Sequence, residues 1–234
     1  MTDLFTNLDT FGFIKKYFEQ EDWYMITRDL KELIKAAVVE TQDYDFPDVR
    51  ISGAVHIGQN CNIGRFVVIE GPVFIGDNVE IGSHAHIRAG SVISDNCVVG
   101  YTAGVKNSLM MSGAKISNHT FLGDSIMFNR ARLGGHAETG NRRFDQGEIA
   151  WHFSSGEQKT GLDKLGAIIG EDSRIGGAVM LAPGSVVGRN TFVSSGINVN
   201  GYVPDGKFVK AKIDLEIREN NFKKQLSQSS KLTD

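Results

Sequence analysis

Every sixth residue from Ile51 onward is aliphatic or methionine: Ile51, Ile57, Ile63, Ile69, Ile75, Ile81, Ile87, Ile93, Val99, Val105 and Met111 follow without a break. A period of six matches neither the helical repeat of 3.6 nor the two-residue alternation of a simple strand. It fits a solenoid in which each hexad is a short strand plus a corner, the aliphatic pointing inward and glycine relieving the turn. Glycine indeed follows the aliphatic at Gly58, Gly64, Gly76, Gly82 and Gly100, and a small or β-branched residue falls four places on, as at Val55, Cys61, Val67, Val73, Val79 and Ala85. The same register returns at Ile169, Ile175, Leu181, Val187, Val193 and Val199. Three hexads per turn predict a mainly β fold, a triangular parallel β-helix with coils of about 18 residues stacked at the ordinary strand spacing of roughly 4.8 Å.

The rest of the chain departs from this register. Ile116, Leu122 and Phe128 resume it one residue early after Met111, and Leu133 follows a second one-residue loss. Residues 140–166 abandon it altogether and read as a long extruded loop, with Trp151 and Phe153 in its middle. Helical spacing over residues 9–20 and 28–40, with Asp9 and Thr27 as candidate caps, predicts a helical N-terminal element at 1–48. The β-helix then occupies 49–209. A charged helix and a polar tail are expected at 210–234, and both ends are expected to cover the open edges of the solenoid.

The 25 Lys and Arg against 28 Asp and Glu, a net charge of -3, give no electrostatic reason to expect nucleic acid or an anionic membrane as partner. No apolar run is long enough to span a bilayer and the acidic, polar start is unlike a signal peptide, so a cytoplasmic protein is expected. Cys61 and Cys97 occupy the same inward position two coils apart. That places them roughly 9.6 Å apart, too far for a disulfide, as small core residues.

Three stretches, VKNSLMMSGAKISNHTFLGDS (105–125), RLGGHAETGNRRFD (132–145) and KLGAIIGEDSRIGGAVMLAPGSVVG (164–188), resemble the acetyltransferase domain of bifunctional sugar-1-phosphate nucleotidylyltransferase/amino-sugar-1-phosphate acetyltransferases, especially the archaeal-type branch. The resemblance implies a left-handed β-helix, a homotrimer with its active site in the groove between neighbours, acetyl-CoA as co-substrate along the later coils, and a sugar phosphate or sugar nucleotide as acceptor. It also implies substrate-binding roles for Arg88, Lys106 and Asn141. No nucleotidylyltransferase domain precedes the β-helix, so that activity is not expected. Small residues at Gly177, Ser194 and Ser195 leave room for a pantetheine arm.

The base of the family motif departs from the pattern. Asn118 occupies the position of the catalytic histidine, a substrate-side position here, and the histidine itself stands one place on at His119. Phe121 replaces a tyrosine and Arg132 an asparagine. Asparagine cannot act as a general base, so either His119 is re-aimed into the groove or the site has lost its reaction. Independently of the family, His84, Thr102, His119 and His136 each fall three residues after an inward aliphatic, so His119 and His136 should stack about one strand spacing apart, roughly 4.8 Å, as a candidate catalytic pair. A non-catalytic sugar-nucleotide-binding or scaffold trimer is the alternative. A zinc site of the kind found in β-helical carbonic anhydrases does not match the histidine spacings, and no tightly bound metal is expected.

Overall fold

The computed structural model of the protein describes residues 4, 11–38, 44–212 and 214–219. Its centre is the parallel β-helix expected from the hexads, built as three parallel sheets of eight strands each. In the order the chain visits them, face 1 runs from Arg50–Ser52 to Asn198–Val199, face 2 from Val55–Ile57 to Tyr202–Val203, and face 3 from Asn62–Ile63 to Phe208–Val209. Inside, the hexad aliphatics stack coil upon coil, as in Ile69, Ile87, Val105 and Leu122, all fully buried. Each such side chain contributes about 1.5–3 kcal/mol.

The register loss lies one corner earlier than the sequence places it. Met110, not Met111, pairs with Ile93, and Met127, not Phe128, pairs with Met110. The corner between faces 1 and 2 is one residue shorter in these two coils and is turned by Asn107 (φ 46°) and Asp124 (φ 48°), residue types that tolerate the left-handed conformation. Because Met110 and Met111, like Met127 and Phe128, are both apolar, hydrophobicity could not choose between them.

Met111 and Phe128 instead join a second core outside face 2. The outward positions of that face, Phe74, Val92, Leu109, Ile126, Ile168 and Val186, are apolar on consecutive coils and demand a cover. The N-terminal element supplies it. Helix α1 (Gly12–Lys15) continues into a 3-10 turn at Lys16–Glu19, and a second 3-10 turn at Trp23–Met25 leads into helix α2 (Ile26–Ala37). Phe11 and Phe13 pack on Phe74 with ring centroids 4.4 and 5.2 Å away, and Phe18 and Trp23 pack on Phe128 at 5.9 and 5.8 Å. The element therefore lies along a face of the solenoid and not over its end. At the first coil Tyr44, Phe46 and Val49 pack against the inner core, and the Tyr44 hydroxyl accepts the Ile57 N–H at 2.7 Å. Asp9 lies outside the described residues. Thr27 is not a cap: it is the second residue of α2 and buried, and Met25 stands at the N-cap without a side-chain hydrogen bond.

The extruded segment is ordered. Leu165 N–H donates to Asn141 O at 3.1 Å and closes its base, and an antiparallel hairpin (Ile149–Phe153 with Gly156–Leu162) folds back over face 2. Its Ile149, Trp151 and Phe153 alternate inward into the second core. In contrast to the C-terminal helix expected, residues 210–212 and 214–219 carry no helix, and 220–234 lie outside the described residues. The apolar positions Ile213, Leu215 and Ile217 alternate with a period of two, which gives a helix no single apolar face.

Both cysteines are free. Cys97 is fully buried, and burial pushes its thiol up to about 12, whereas Cys61 is only partly buried. A thiol titration of the native protein near neutral pH should therefore find at most one reactive thiol per chain, and two on unfolding.

Candidate functional site

The corner between faces 3 and 1 is turned by one left-handed residue per coil. Phe66, His84, Thr102, His119 and His136, with φ between 54° and 61°, form this column. In such a corner the one-residue shift of the histidine does not turn it inward, as it would on a strand. His119 and His136 are both exposed, and no bulge is needed to bring them out. Their rings stack at 4.9 Å with 18° between planes, as their spacing predicts. Tyr101 meets both His84 and His119 edge-on at 5.6 Å.

Thr102 lies against His119. Its hydroxyl donates to Tyr101 O at 2.7 Å and is also in contact with His119 Nδ1. A Thr102 hydroxyl that donates to the carbonyl can accept from an Nδ1–H of His119, an arrangement that would leave the imidazole lone pair on Nε2. A β-branched residue in the left-handed region is uncommon, and Thr102, at φ 54°, is the one that makes this contact. Asn118 is exposed, and its Oδ1 accepts the Tyr101 N–H at 3.0 Å.

Face 1 crosses from this corner to the one with face 2. Gly123 stands four positions after His119, about 13 Å at the rise of a strand. Phe121 lies between, and a Cβ on Gly123 would come within 2.6 Å of its ring, so glycine is required for the ring to lie flat there. At the far corner the buried Asp124 carboxylate collects Lys106 Nζ at 2.8 Å, Asn107 Nδ2 at 2.9 Å and Asn141 Nδ2 at 2.6 Å. Sequence reasoning found Lys106 and Asn141 but missed Asp124, the residue that gathers them. Its place at a shortened corner was the available signal. Arg88, in register with Lys106 one coil earlier, is exposed and has no ion-pair partner among the described residues.

Face 3 carries a second feature that the sequence reading missed. Lys115, Arg132 and Arg174 stand directly opposite one another on successive coils, followed by the exposed Phe192 and Phe208. Like charges in direct register repel, and none of the three has an ion-pair partner among the described residues. Along this row run two adjoining hollows of about 470 and 440 Å³ that share Ser117 and Arg132. Asn118 lines the second and Gly177 the first. Gly177 N–H donates to the exposed Ser195 Oγ at 3.1 Å, and Ser194 lies beside it, half-buried. A cavity of about 620 Å³ lies between the 142–159 segment and the Ala182–Pro183 corner, lined by His152 but by neither His119 nor His136. Among the described residues no three His, Cys, Asp or Glu side chains are grouped to hold a metal, and no helix is long and apolar enough to cross a membrane.

A family model described as the GMPPB C-terminal domain matches residues 69–143. The chain is 35% identical over 104 residues to YaiX of Escherichia coli K12, described as an uncharacterized acetyltransferase, a match covering 44% of this chain and 45% of that one. It is 34% identical over 106 residues to the bifunctional sugar-1-phosphate nucleotidylyltransferase/acetyltransferase of Sulfurisphaera tokodaii, covering 45% of this chain and 26% of that protein. A solved UDP-N-acetylglucosamine acyltransferase from Campylobacter jejuni aligns over 68% of each chain at 16% identity, with a TM-score of 0.40. The chain spans less than half the length of these curated relatives. The resemblance drawn from the VKNS, HTFLGD and KLGAIIG stretches is thereby borne out: in its middle coils the chain is similar to the hexapeptide-repeat acetyltransferase domain of the bifunctional sugar-1-phosphate nucleotidylyltransferase/acetyltransferases.

Proposed function

We propose that the protein is an acyl-CoA-dependent acetyltransferase acting on a sugar phosphate or sugar nucleotide in a groove between copies of a homotrimer. The observation that carries this reading is the contact of Thr102 Oγ1 with Nδ1 of the exposed His119, which favours a lone pair on Nε2, beside a groove suited to the donor. The acceptor's amine or hydroxyl gives its proton to Nε2 as its N or O attacks the thioester carbonyl. The C–S bond breaks, and the proton on the imidazole passes to the departing CoA sulfur. His136 stacks on the base and orients it.

The donor fits face 3. From Lys115 to Phe208 the row spans four strand spacings, about 19 Å, the scale of an extended CoA. Arg132 and Arg174 meet the phosphates, Phe192 and Phe208 offer rings to the adenine, and Ser117 and Asn118 receive the thioester end near His119. Gly177, Ser194 and Ser195 form the edge along which the pantetheine lies. On face 1, Arg88 and the Asp124-anchored Lys106 and Asn141 face the acceptor.

Face 2 is occupied by the chain's own N-terminal element and hairpin, which leaves faces 1 and 3 and the exposed rings of Phe66 and Tyr101 for a second copy. The reading is tested by calorimetry with acetyl-CoA, with light scattering on the same samples giving a trimer. Arg132→Ala and Arg174→Ala are each expected to weaken binding about 10-fold or more, the usual range for a charge-assisted hydrogen bond. Ser195→Trp should abolish binding without dissolving the trimer. Unchanged affinity in all three variants would remove the donor from this groove.

A further inference from the structure

A small cavity of about 210 Å³ lies where three elements meet: helix α2, the corner of faces 1 and 2, and the end of the hairpin. It is used by no step of the mechanism above. Thr27, Arg28 and Lys31 line it from α2, Asn107 and Asp124 from the coil corner, and Lys164 from the hairpin.

Its charges do not balance internally. Arg28 is held by Asp29 through two hydrogen bonds of 2.7 and 2.8 Å, and the Asp124 carboxylate is taken by Lys106, Asn107 and Asn141. Lys31 and Lys164 are left without an ion-pair partner among the described residues, against the single exposed carboxylate of Asp163. Asn107 Nδ2 also donates to Thr27 O at 2.9 Å, which ties α2 to the corner at this point. Thr27 itself is 2% exposed, yet its hydroxyl has no hydrogen-bond partner. A buried hydroxyl without a partner is unfavourable, and a cavity wall is where a bound group can supply one.

We propose that this cavity is a phosphate-binding site, in which Lys31 and Lys164 hold a phosphate group from opposite sides and the Thr27 hydroxyl donates to one of its oxygens. Two lysines from separate elements present compact point charges to a tetrahedral oxyanion, and the cavity is large enough for a phosphate and a small part of whatever carries it. An occupied site joins the N-terminal element, the β-helix and the hairpin through one ligand. It shares Asp124 with the proposed acceptor site, but neither His119 nor the face 3 row contributes to it.

The test is calorimetry at constant ionic strength with inorganic phosphate, glucose 1-phosphate and glucose, without acetyl-CoA. Inorganic phosphate should bind one per chain and raise the melting temperature saturably, and glucose should not bind. Lys31→Ala and Lys164→Ala should each weaken phosphate at least 10-fold, whereas Lys35→Ala, on the same helix but paired to Glu32, should not. Thr27→Val should also weaken it while leaving the unliganded protein as stable as before, because it removes the unpartnered hydroxyl at equal volume. Tighter binding of glucose 1-phosphate identifies a phosphorylated metabolite as the source, and equal binding identifies the phosphate ion. Phosphate affinities of Lys31→Ala and Lys164→Ala equal to the parent protein's, or no phosphate binding at all, would overturn the proposal.

Discussion

Replacing His119 by asparagine is expected to lower turnover by about 100-fold or more, the usual scale for losing a general base. Asparagine is the informative substitution because position 119 has φ 55°, a left-handed conformation that asparagine adopts at less cost than most residues. The trimer and acetyl-CoA affinity should stay as they were, which places the loss in the chemical step. His136→Asn should cost less, since it removes a stacking neighbour and leaves the proton acceptor. Thr102→Val should reduce turnover while sparing donor affinity, and Thr102→Ser should restore it, because the hydroxyl that accepts from Nδ1–H returns. In nitrogen NMR the parent protein should show His119 protonated at Nδ1, and Thr102→Val should lose that preference. Full activity in His119→Asn would dismiss the base assignment.

Truncating Trp151 to alanine is expected to destabilise the protein by about 3–5 kcal/mol. The indole is fully buried in the second core, and its Nε1–H donates to Tyr24 O at 3.0 Å, so the substitution leaves a void and an unpaired carbonyl in the seam between hairpin and N-terminal element. At 1.4 kcal/mol for each factor of ten, this lowers the folding equilibrium by roughly two to three and a half powers of ten. The midpoint of urea unfolding reads the change. A midpoint within error of the parent would mean that the hairpin contributes nothing to the fold.

The β-helix was legible because its inward row repeats along the chain with a fixed period. The same strings held a second message, that the outward residue of every third strand (Phe74, Val92, Leu109, Ile126, Ile168, Val186) is also apolar, while face 3 carries charged residues such as Glu80, Lys115, Arg132 and Arg174. A period of 18 marks the covered face, and the N-terminal element with its cluster of aromatics is the cover. The stack of His119 on His136 was legible from spacing alone. The contact between Thr102 Oγ1 and His119 Nδ1 was not, because spacing does not fix side-chain rotamers. Asp124 was equally hidden: a lone aspartate in sequence gives no sign that Lys106, Asn107 and Asn141, brought together by coils of 17 residues and the closure of the inserted hairpin, will converge on it.

The central claim is that acetyl groups pass from CoA to an amino sugar at His119. It is tested most directly by incubating the purified protein with acetyl-CoA and a panel of amino-sugar 1-phosphates and nucleotide-linked amino sugars, following both the free CoA thiol and the mass of the sugar. The account predicts an acetylated sugar formed in step with the released thiol, and its near disappearance in His119→Asn. No acetylated sugar from any acceptor, under conditions where calorimetry shows acetyl-CoA bound, would contradict it and leave a protein that holds the donor without using it.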